Sequence, residues 1–330
     1  MISWLSHANR LSDWSQVHVS VAGIGATGFS VADALLDCGA RVTILDRAET
    51  PHTVDRATLM EVLGAEVRLG PEADAHLPDC DLVVASPGWL PTSPIFLQAQ
   101  ARSIPIWSDV ELAWRLQKPD RIVEWLGVTG WKGKTTTARI LESILTAAGL
   151  TVSVVGASGR PVLETILDQV AYDCLIVTFS NRQLHWANSL SLHSAVVLDL
   201  GPEQYDEDEA RIYDQVTHSC VYNVDDPRTE KMVEEADVVE GARAIGFTLG
   251  IPGVSMLGVV DECLVDRAFI PQRRDSALEL GTLSDLPNSN PSMVADALAA
   301  ASLARSFGVA AMTVRDGLRA YRDDKEQEES

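Results

Sequence analysis

Two glycine-containing segments have the residue types and spacing of loops that bind phosphate. The segment Gly23-Ile24-Gly25-Ala26-Thr27-Gly28 fits the pattern G-x-G-x-x-G, and the segment Gly130-Trp131-Lys132-Gly133-Lys134-Thr135 ends in G-K-T. Each segment follows an apolar, β-branched stretch and precedes a stretch typical of a helix. Backbone N–H groups at the start of a helix bind anions, and glycine lets the backbone approach a phosphate closely. The sequence therefore predicts two phosphate-binding loops.

The first loop, taken by itself, leaves two interpretations open. Asp46 ends the next predicted strand, where an acidic side chain meets a ribose or a base in dinucleotide-binding proteins. The motif then favours NAD or FAD binding. A glycine-rich structural turn is equally compatible with it.

The second loop is more specific. Lys134 has the position of the lysine that reaches β- and γ-phosphates, and Thr135 has that of the hydroxyl that binds Mg²⁺. The segment departs from the strict G-x-x-x-x-G-K-[ST] pattern, because Val128 stands where the first glycine is expected. Nucleotide phosphate binding is favoured over a purely structural turn.

Predicted strands alternate with predicted helices, which is typical of doubly wound α/β domains with parallel sheets. The predicted strands are residues 17–21, 41–45, 65–69, 81–85, 104–106, 122–128, 151–155, 174–178, 195–200 and 219–223. The predicted helices are residues 29–37, 95–101, 136–148, 292–306 and 313–321. Region 241–286 is predicted to be rich in β-structure, with turns at Gly246, Gly250, Gly253 and Gly258. Lys118-Pro119-Asp120 interrupts the pattern and predicts a domain boundary between residues 117 and 118.

Composition and charge exclude several classes of protein. The chain has 330 residues, of which 46% are hydrophobic, and a net charge of −21. Such an acidic chain is unsuited to nucleic-acid binding. Its five cysteines form no CxxC pair, which argues against a disulfide scaffold or a thiolate zinc site. With no signal peptide evident and no apolar run long enough to cross a bilayer, we expect a cytoplasmic protein without membrane contact.

Further motifs from both halves of the chain occur together with the two loops in one order. In sequence they read GIGATG, LDR, ASPG, GVTGWKGKTTTA, QLHW, YNVDDP and DALAAASLA. This order resembles the Mur ligase family, in particular its MurD branch, over residues 17–321. The resemblance implies an α/β fold in which a Rossmann-like UDP-sugar-binding domain (1–117) is followed by a P-loop-like central ATP-binding domain (118–321). It leaves residues 322–330 as an acidic tail that we expect to be disordered.

The resemblance also implies a function and its cofactors. Mur ligases of this branch act in peptidoglycan (cell wall) biosynthesis and use ATP and Mg²⁺ to add D-glutamate to UDP-N-acetylmuramoyl-L-alanine. The first loop would then bind the diphosphate of this substrate rather than NAD. The implied UDP-substrate-binding residues are Gly25, Ala26, Thr27, Gly28, Asp46, Arg47, Ser86, Pro87 and Gly88. The implied ATP-binding residues are Gly130, Gly133, Lys134, Thr135, Thr136, Asn223 and Asp226, among which Lys134 and Thr135 would be catalytic and Thr135 would bind the metal.

Several site positions depart from the family pattern. Thr178 stands where the family has a glutamate, Gln204 where it has a histidine, and Glu209 where it has a carbamylated lysine. A threonine cannot replace a glutamate as an anionic Mg²⁺ ligand. Trp131 is bulky where substrate phosphate would pass. The chain also ends where the family's third domain, which carries most of the D-glutamate site, is expected to begin.

These departures favour a truncated and catalytically impaired MurD-like protein. One alternative is an active ligase that a separate C-terminal domain completes. Another is a non-catalytic binding or scaffold subunit. The expected partners are the UDP-linked substrate and, for the first alternative, a protein that supplies the third domain.

Overall fold

The structure, a computed structural model, describes residues 4–201 and 207–322. Contacts within the chain divide it into two compact units. The first unit comprises Met1–Ile122, Arg160–Gln169 and Ser180–Leu190, and the second comprises Val123–Gly159, Val170–Phe179 and Ser191–Ser330. The division thus falls after Ile122 rather than after residue 117, and two later segments join the first unit. Most of the predicted disordered tail, residues 323–330, lies outside the described residues.

The helices and strands are numbered in chain order within the described residues. The strands are β1 (His18–Ala22), β2 (Arg41–Asp46), β3 (Glu66–Leu69), β4 (Leu82–Ala85), β5 (Ile106–Ser108), β6 (Glu124–Thr129), β7 (Val152–Gly156), β8 (Cys174–Thr178), β9 (Ser194–Val197), β10 (Ser219–Asn223), β11 (Arg243–Phe247), β12 (Met256–Val260), β13 (Cys263–Asp266) and β14 (Leu278–Thr282). The α-helices are α1 (Ala26–Asp37), α2 (Pro51–Val62), α3 (Pro94–Ala101), α4 (Asp109–Arg115), α5 (Lys134–Ala147), α6 (Val162–Leu167), α7 (Asn181–His185), α8 (Glu207–Ala210), α9 (Pro227–Glu235), α10 (Pro291–Ser306) and α11 (Ala311–Ala320).

The first unit contains a parallel sheet with the strand order β3-β2-β1-β4-β5. Strand β4 is apolar throughout, and all four of its residues are buried. Strands covered on both faces have such continuous apolar sequences, and helices supply the cover. The carboxyl ends of β1, β2 and β4 therefore meet at one edge of the sheet.

The second unit contains a mixed sheet with the order β14-β13-β12-β11-β10-β9-β6-β8-β7. Strands β6 to β12 pair in parallel, and β12, β13 and β14 pair antiparallel. Helices α5, α10 and α11 pack together over this sheet and share its apolar core. Gly317 of α11 allows this packing, because a Cβ atom there would overlap the backbone of Ile144 in α5.

The strands were predicted better than the helices. Helix α2 was not predicted because it is largely polar and buries only Ala57 and Met60. Helices α4, α6, α7 and α9 were also not predicted, and the strand predicted at 104–106 is found at Ile106–Ser108.

The predicted turns at Gly246 and Gly258 were wrong, since these glycines lie inside β11 and β12. At each of these positions a neighbouring group packs so closely that a Cβ atom would overlap it. A Cβ atom on Gly246 would lie 2.7 Å from the Val224 side chain, and one on Gly258 would lie 2.6 Å from the Gly250 carbonyl oxygen. Of the helices in the described ranges, none has the length and apolar character needed to cross a membrane.

Candidate functional site

The first glycine loop joins the carboxyl end of β1 to α1. Gly25 is the N-cap of this helix, and no side chain from the described residues caps it. The N–H groups of a first helical turn lack intrahelical partners and attract anions. Gly25 and Ala26 are exposed and Thr27 is half-buried, so this turn is open to a ligand. The four predicted residues Gly25, Ala26, Thr27 and Gly28 thus lie together at the helix N-terminus.

The three glycines of this loop have different roles. A Cβ atom on Gly28 would overlap the carbonyl oxygen of Gly23, and Gly23 has a φ of +100°, which favours glycine. Gly23 and Gly28 are therefore required by the turn itself. Gly25 has no neighbouring atom within 4 Å of its Cβ position. Its missing side chain leaves open space over the helix N-terminus.

Asp46 and Arg47 follow β2 and lie beside this loop. Asp46 accepts hydrogen bonds from the N–H groups of Ile24 and Ala48, both at 2.8 Å. Its carboxylate therefore holds the loop in shape. Arg47 forms an ion pair with the buried carboxylate of Asp74, and its guanidinium lies 5.5 Å from the centroid of the Trp89 ring.

Ser86, at the end of β4, provides an observation that points to a ligand. Its Oγ is buried and has no hydrogen-bond partner among the described residues. The same atom lies 2.9 Å from the Cβ position of Gly28. A buried hydroxyl without a partner costs free energy, and a phosphate oxygen on the loop would supply the missing acceptor. The residues present therefore fit a diphosphate at this loop.

Pro87 and Gly88 complete the turn after β4. Their carbonyl oxygens both accept from Nη1 of Arg182 in α7, at 3.3 Å each. Sequence analysis gave Arg182 no role. The sequence around Arg182 gave no local signal of this contact, because the contact joins parts of the chain that are far apart in sequence.

The second glycine loop joins β6 to α5. Gly130 and Gly133 have φ angles of +143° and +83°, which other residues adopt only with strain. Lys134, the first residue of α5, donates its ammonium group to the carbonyl oxygen of Gly130 and so folds back over the loop. Thr135 is exposed and Thr136 is half-buried.

Two departures from the phosphate-loop pattern have structural explanations. Val128, in the place of the expected first glycine, is a fully buried core residue of β6. Trp131 is 60% exposed, and its ring packs beside Gly201. The indole therefore occupies surface next to the loop, and its role as an obstacle to phosphate stays a prediction.

Sequence analysis missed two carboxylates that flank the second loop. The Asp199 Oδ1 atom lies 3.1 Å from the Cβ position of Gly130 and accepts from the N–H of Lys132 at 3.0 Å. The Asp296 carboxylate packs so closely against Gly133 that a Cβ atom there would overlap it. One available signal was a single acidic residue inside the alanine-rich segment that forms α10.

Asp296 is in an unfavourable environment for a charge. It is 8% exposed, and its Oδ1 accepts from the Thr137 hydroxyl at 3.2 Å. Burial raises the pKa of Asp296 to about 7, and the nearby Asp199 carboxylate acts in the same direction, while the hydrogen bond from Thr137 opposes both. When ionised, this pair of carboxylates repels phosphate at the loop.

Of the three residues at the family's metal-ligand positions, Thr178 and Glu209 lie within the described residues, and neither belongs to a group that could hold a metal ion. Thr178 is fully buried at the end of β8, where its Oγ1 donates to the Val155 carbonyl at 3.1 Å and accepts from the Ser158 N–H at 2.8 Å. Both roles of this hydroxyl are thus taken by backbone groups. Glu209 is half-buried in α8, and Gln204 lies outside the described residues.

Residues 4–201 and 207–322 contain no group of three or more His, Cys, Asp or Glu side chains that could hold a metal ion. Within these described residues, the donors do not fit the two Mg²⁺ ions that the resemblance implies; Glu203, Gln204 and Asp206 lie outside them.

Asn223 and Asp226 follow β10 and have structural partners. The Asn223 side chain donates to the Leu198 carbonyl at 2.8 Å, and Asp226 forms an ion pair with Arg228 at 2.7 Å. Burial by itself would raise the pKa of Asp226, but hydrogen bonds from Arg228 and from the Leu200 N–H outweigh it and lower the pKa. These side chains fix the loop after β9. Their predicted role at ATP stays a prediction.

Comparison with known sequences gives consistent matches. Residues 17–108 match the profile of the Mur ligase MurD-like N-terminal domain. A UDP-N-acetylmuramoylalanine–D-glutamate ligase of Streptomyces avermitilis is 48% identical over 324 residues, which cover 95% of this chain and 69% of the relative. The ligase of the same name from Streptomyces coelicolor is also 48% identical, with the same coverage of both chains.

Comparison with solved structures supports the fold. The ligase MPL from Neisseria meningitides, named for UDP-N-acetylmuramate and a meso-diaminopimelate peptide, aligns with a TM-score of 0.56 at 19% identity and covers 93% of this chain and 98% of that one. A murein peptide ligase from Psychrobacter arcticus aligns with a TM-score of 0.55 at 16% identity, covering 92% and 68%. The predicted α/β fold, with a Rossmann-like and a nucleotide-binding-type unit, is confirmed.

The elevated pKa predicts how Asp296→Asn changes stability with pH. A carboxyl whose pKa is higher in the folded state binds more protons when the chain is folded. The free-energy cost of ionising Asp296 in the folded state therefore grows as the pH rises from 3.8, the ordinary pKa of this carboxyl, to about 7, and it is complete above pH 7. Chemical denaturation should therefore show the free energy of unfolding of Asp296→Asn rising relative to the unmodified chain between about pH 4 and pH 7, by up to about 4 kcal/mol.

The exposed Asp316 supplies the matched control, because Asp316→Asn removes the same charge without relieving burial. Asp109, whose pKa burial also raises to about 7, is present in every variant and cancels in the comparison. A difference between Asp296→Asn and the unmodified chain that does not change with pH would contradict the prediction.

Proposed function

Because this chain belongs to the Mur ligase family, we propose that it is a MurD-like protein of peptidoglycan synthesis that binds UDP-N-acetylmuramoyl-L-alanine but is impaired in the ligase reaction. The observation that carries this proposal is a contrast between the two loops. At the first loop the buried Ser86 hydroxyl lacks a partner among the described residues and Gly25 leaves open space over the helix N-terminus, whereas at the second loop two carboxylates occupy the surroundings of the phosphate-binding backbone.

Substrate binding is assigned to the first unit. The diphosphate would lie over the N-terminus of α1, where Gly25 leaves space and the Ser86 hydroxyl can donate to a phosphate oxygen. Asp46 would act mainly by fixing the loop through the Ile24 N–H, which places the helix N-terminus correctly. Arg47, which is more than half exposed, would lie near the uracil.

Impaired catalysis is assigned to the second unit. The transfer of a phosphoryl group to a carboxylate brings anions together, and a site must offset their repulsion with positive charge. Lys134 supplies one such charge. Asp296 and Asp199 add negative charge beside the same loop, and the buried, uncharged Thr178 hydroxyl is held by two backbone groups. ATP and Mg²⁺, the cofactors implied by the family, would therefore bind weakly.

Two alternative functions predict different outcomes in a ligase assay. The chain spans 69% of the length of the Streptomyces relatives. An active ligase completed by a separate C-terminal domain would require that domain for product formation. A scaffold subunit would bind substrate or a protein partner without producing any product.

If the first unit binds the substrate, Ser86→Ala should weaken substrate binding without lowering the stability of the free protein. Calorimetric titration with UDP-N-acetylmuramoyl-L-alanine should show affinity about tenfold lower for Ser86→Ala, the size expected for one hydrogen bond to a charged group. The free energy of unfolding without ligand should not fall, because the hydroxyl has no partner in the free protein.

Asp46→Ala should also weaken binding, whereas Asp55→Ala removes an exposed acid of α2 away from the loop and should not. Unchanged substrate affinity in Ser86→Ala, or no binding by the unmodified chain at millimolar substrate, would remove the basis for the first-unit assignment.

The second-unit assignment predicts nucleotide binding that is nearly independent of Mg²⁺. The affinity for ATP should differ by less than about threefold between solutions with Mg²⁺ and with a chelator, since the metal gains few protein ligands. Lys134→Ala should abolish the remaining affinity. An enhancement of tenfold or more by Mg²⁺ would show that other side chains hold the metal.

The ligase reaction itself is the test of the whole proposal. The purified chain should form no amide product from ATP, D-glutamate and UDP-N-acetylmuramoyl-L-alanine, measured by phosphate release and product detection. The triple substitution Thr178→Glu, Gln204→His and Glu209→Lys should not restore activity. Thr178 is buried and its hydroxyl is hydrogen-bonded to the backbone of Val155 and Ser158, so a glutamate at this position would first have to break these hydrogen bonds.

The Streptomyces coelicolor relative serves as the positive control in the same assay. Product from the unmodified chain by itself would overturn the proposal. Product that forms only after addition of a separately expressed C-terminal domain would support the completed-enzyme alternative instead.

A further inference from the structure

Three arginine side chains line one cavity of the second unit. The cavity has a volume of about 530 Å³ and is bordered by Arg243, Arg273 and Arg305, with Phe269 among its apolar wall residues. Arg243 is the first residue of β11, and Arg305 lies in the last turn of α10. Arg273 comes from the connection between β13 and β14. Three separate parts of the chain thus converge on one space.

This cavity is separate from the second glycine loop. The loop follows the carboxyl end of β6, whereas Arg243 stands at the amino end of β11. Strands β6, β9, β10 and β11 are parallel neighbours in one sheet. The cavity and the loop therefore lie at opposite edges of that sheet, and nothing in the proposed ligase chemistry uses the arginines.

The arginines have different charge partners. Arg305 is neutralised by the fully buried Asp266 side chain at 2.9 Å and also donates to the Val309 carbonyl at 2.6 Å. Arg243 donates to the Ala268 carbonyl and lies 5.1 Å from the centroid of the Phe269 ring. Among the described residues, no carboxylate forms an ion pair with Arg243 or Arg273.

Two positive charges therefore face the cavity without direct neutralisation, in a chain of net charge −21. Burial and the neighbouring positive charge of Arg273 both lower the pKa of Arg243, although Asp266 opposes them. Holding two like charges close together costs free energy, which an anion between them would offset. Arg243 is also held in place by Phe269, so its fork of donors is already oriented.

We propose that this cavity binds a small phosphate-type dianion, such as inorganic phosphate, pyrophosphate or a phosphomonoester. The two unneutralised guanidinium groups match a charge of about −2, and guanidinium donors pair with phosphate oxygens in a bidentate manner. The overall negative charge of the chain opposes long polyanions such as nucleic acids, which leaves small anions as the ligands of this cavity.

The test is calorimetric titration of the full chain with inorganic phosphate and with pyrophosphate at low ionic strength. Arg273→Ala should weaken binding of the better ligand by tenfold or more. Its matched control is Arg274→Ala, which removes the same charge from the exposed adjacent residue that does not border the cavity, and which should change affinity by less than twofold.

Lys134→Ala separates this cavity from the second glycine loop and should leave the measured affinity unchanged. Binding of either anion that depends on Arg273 but not on Arg274 or Lys134 supports the proposal. Equal losses in Arg273→Ala and Arg274→Ala would indicate a general charge effect and overturn it. Loss of binding in Lys134→Ala, or no binding at millimolar anion, would also overturn it.

Discussion

Parallel strand pairing is the constraint on which the geometry of both glycine loops depends. In the first unit, β1 lies between β2 and β4, so Asp46 and Ser86 reach the loop that follows β1. In the second unit, β6 lies between β8 and β9, so Thr178 and the segment containing Asp199 follow strands on either side of it. Because parallel strands end at the same edge, the residues after each of them converge on one site. The same geometry leaves open space at Gly25 in the first unit and places two carboxylates beside the loop in the second.

Electrostatics distinguishes the two edges of the second sheet. At the carboxyl edge, Asp199 and Asp296 lie against a loop whose backbone is suited to anions. At the amino edge, Arg243 and Arg273 retain positive charge that no carboxylate in the described part of the chain neutralises directly. Charges in or near a protein interior interact more strongly than in water. Each edge therefore attracts or repels anions according to its own side chains, which the net charge of the chain does not reveal. The acidic composition therefore describes the surface as a whole and not these two sites.

Local signals account for the parts of the fold that were predicted correctly. The strands that lead into the two loops are short apolar runs, and the glycine spacing marks the turns after them, so β1, β6 and the helix starts are recognisable within a few residues. Helix α9 was missed although Pro227 and Asp226 are typical of a helix start, because its sequence is mostly polar. Gly246 was misassigned to a turn because the reason for a glycine there is the Val224 side chain, which belongs to a different part of the chain.

The sequence by itself determined the family and the order of the two loops, since each depends only on residue types at fixed spacing. Only the tertiary structure decided that the Thr178 hydroxyl is used by β7, that Ser86 lacks a partner, and that Asp296 packs against Gly133. It also brought together three arginines from distant segments. The physical reason is that burial, hydrogen-bond satisfaction and charge coupling act through space. They join residues such as Gly133 and Asp296 that no local sequence pattern connects.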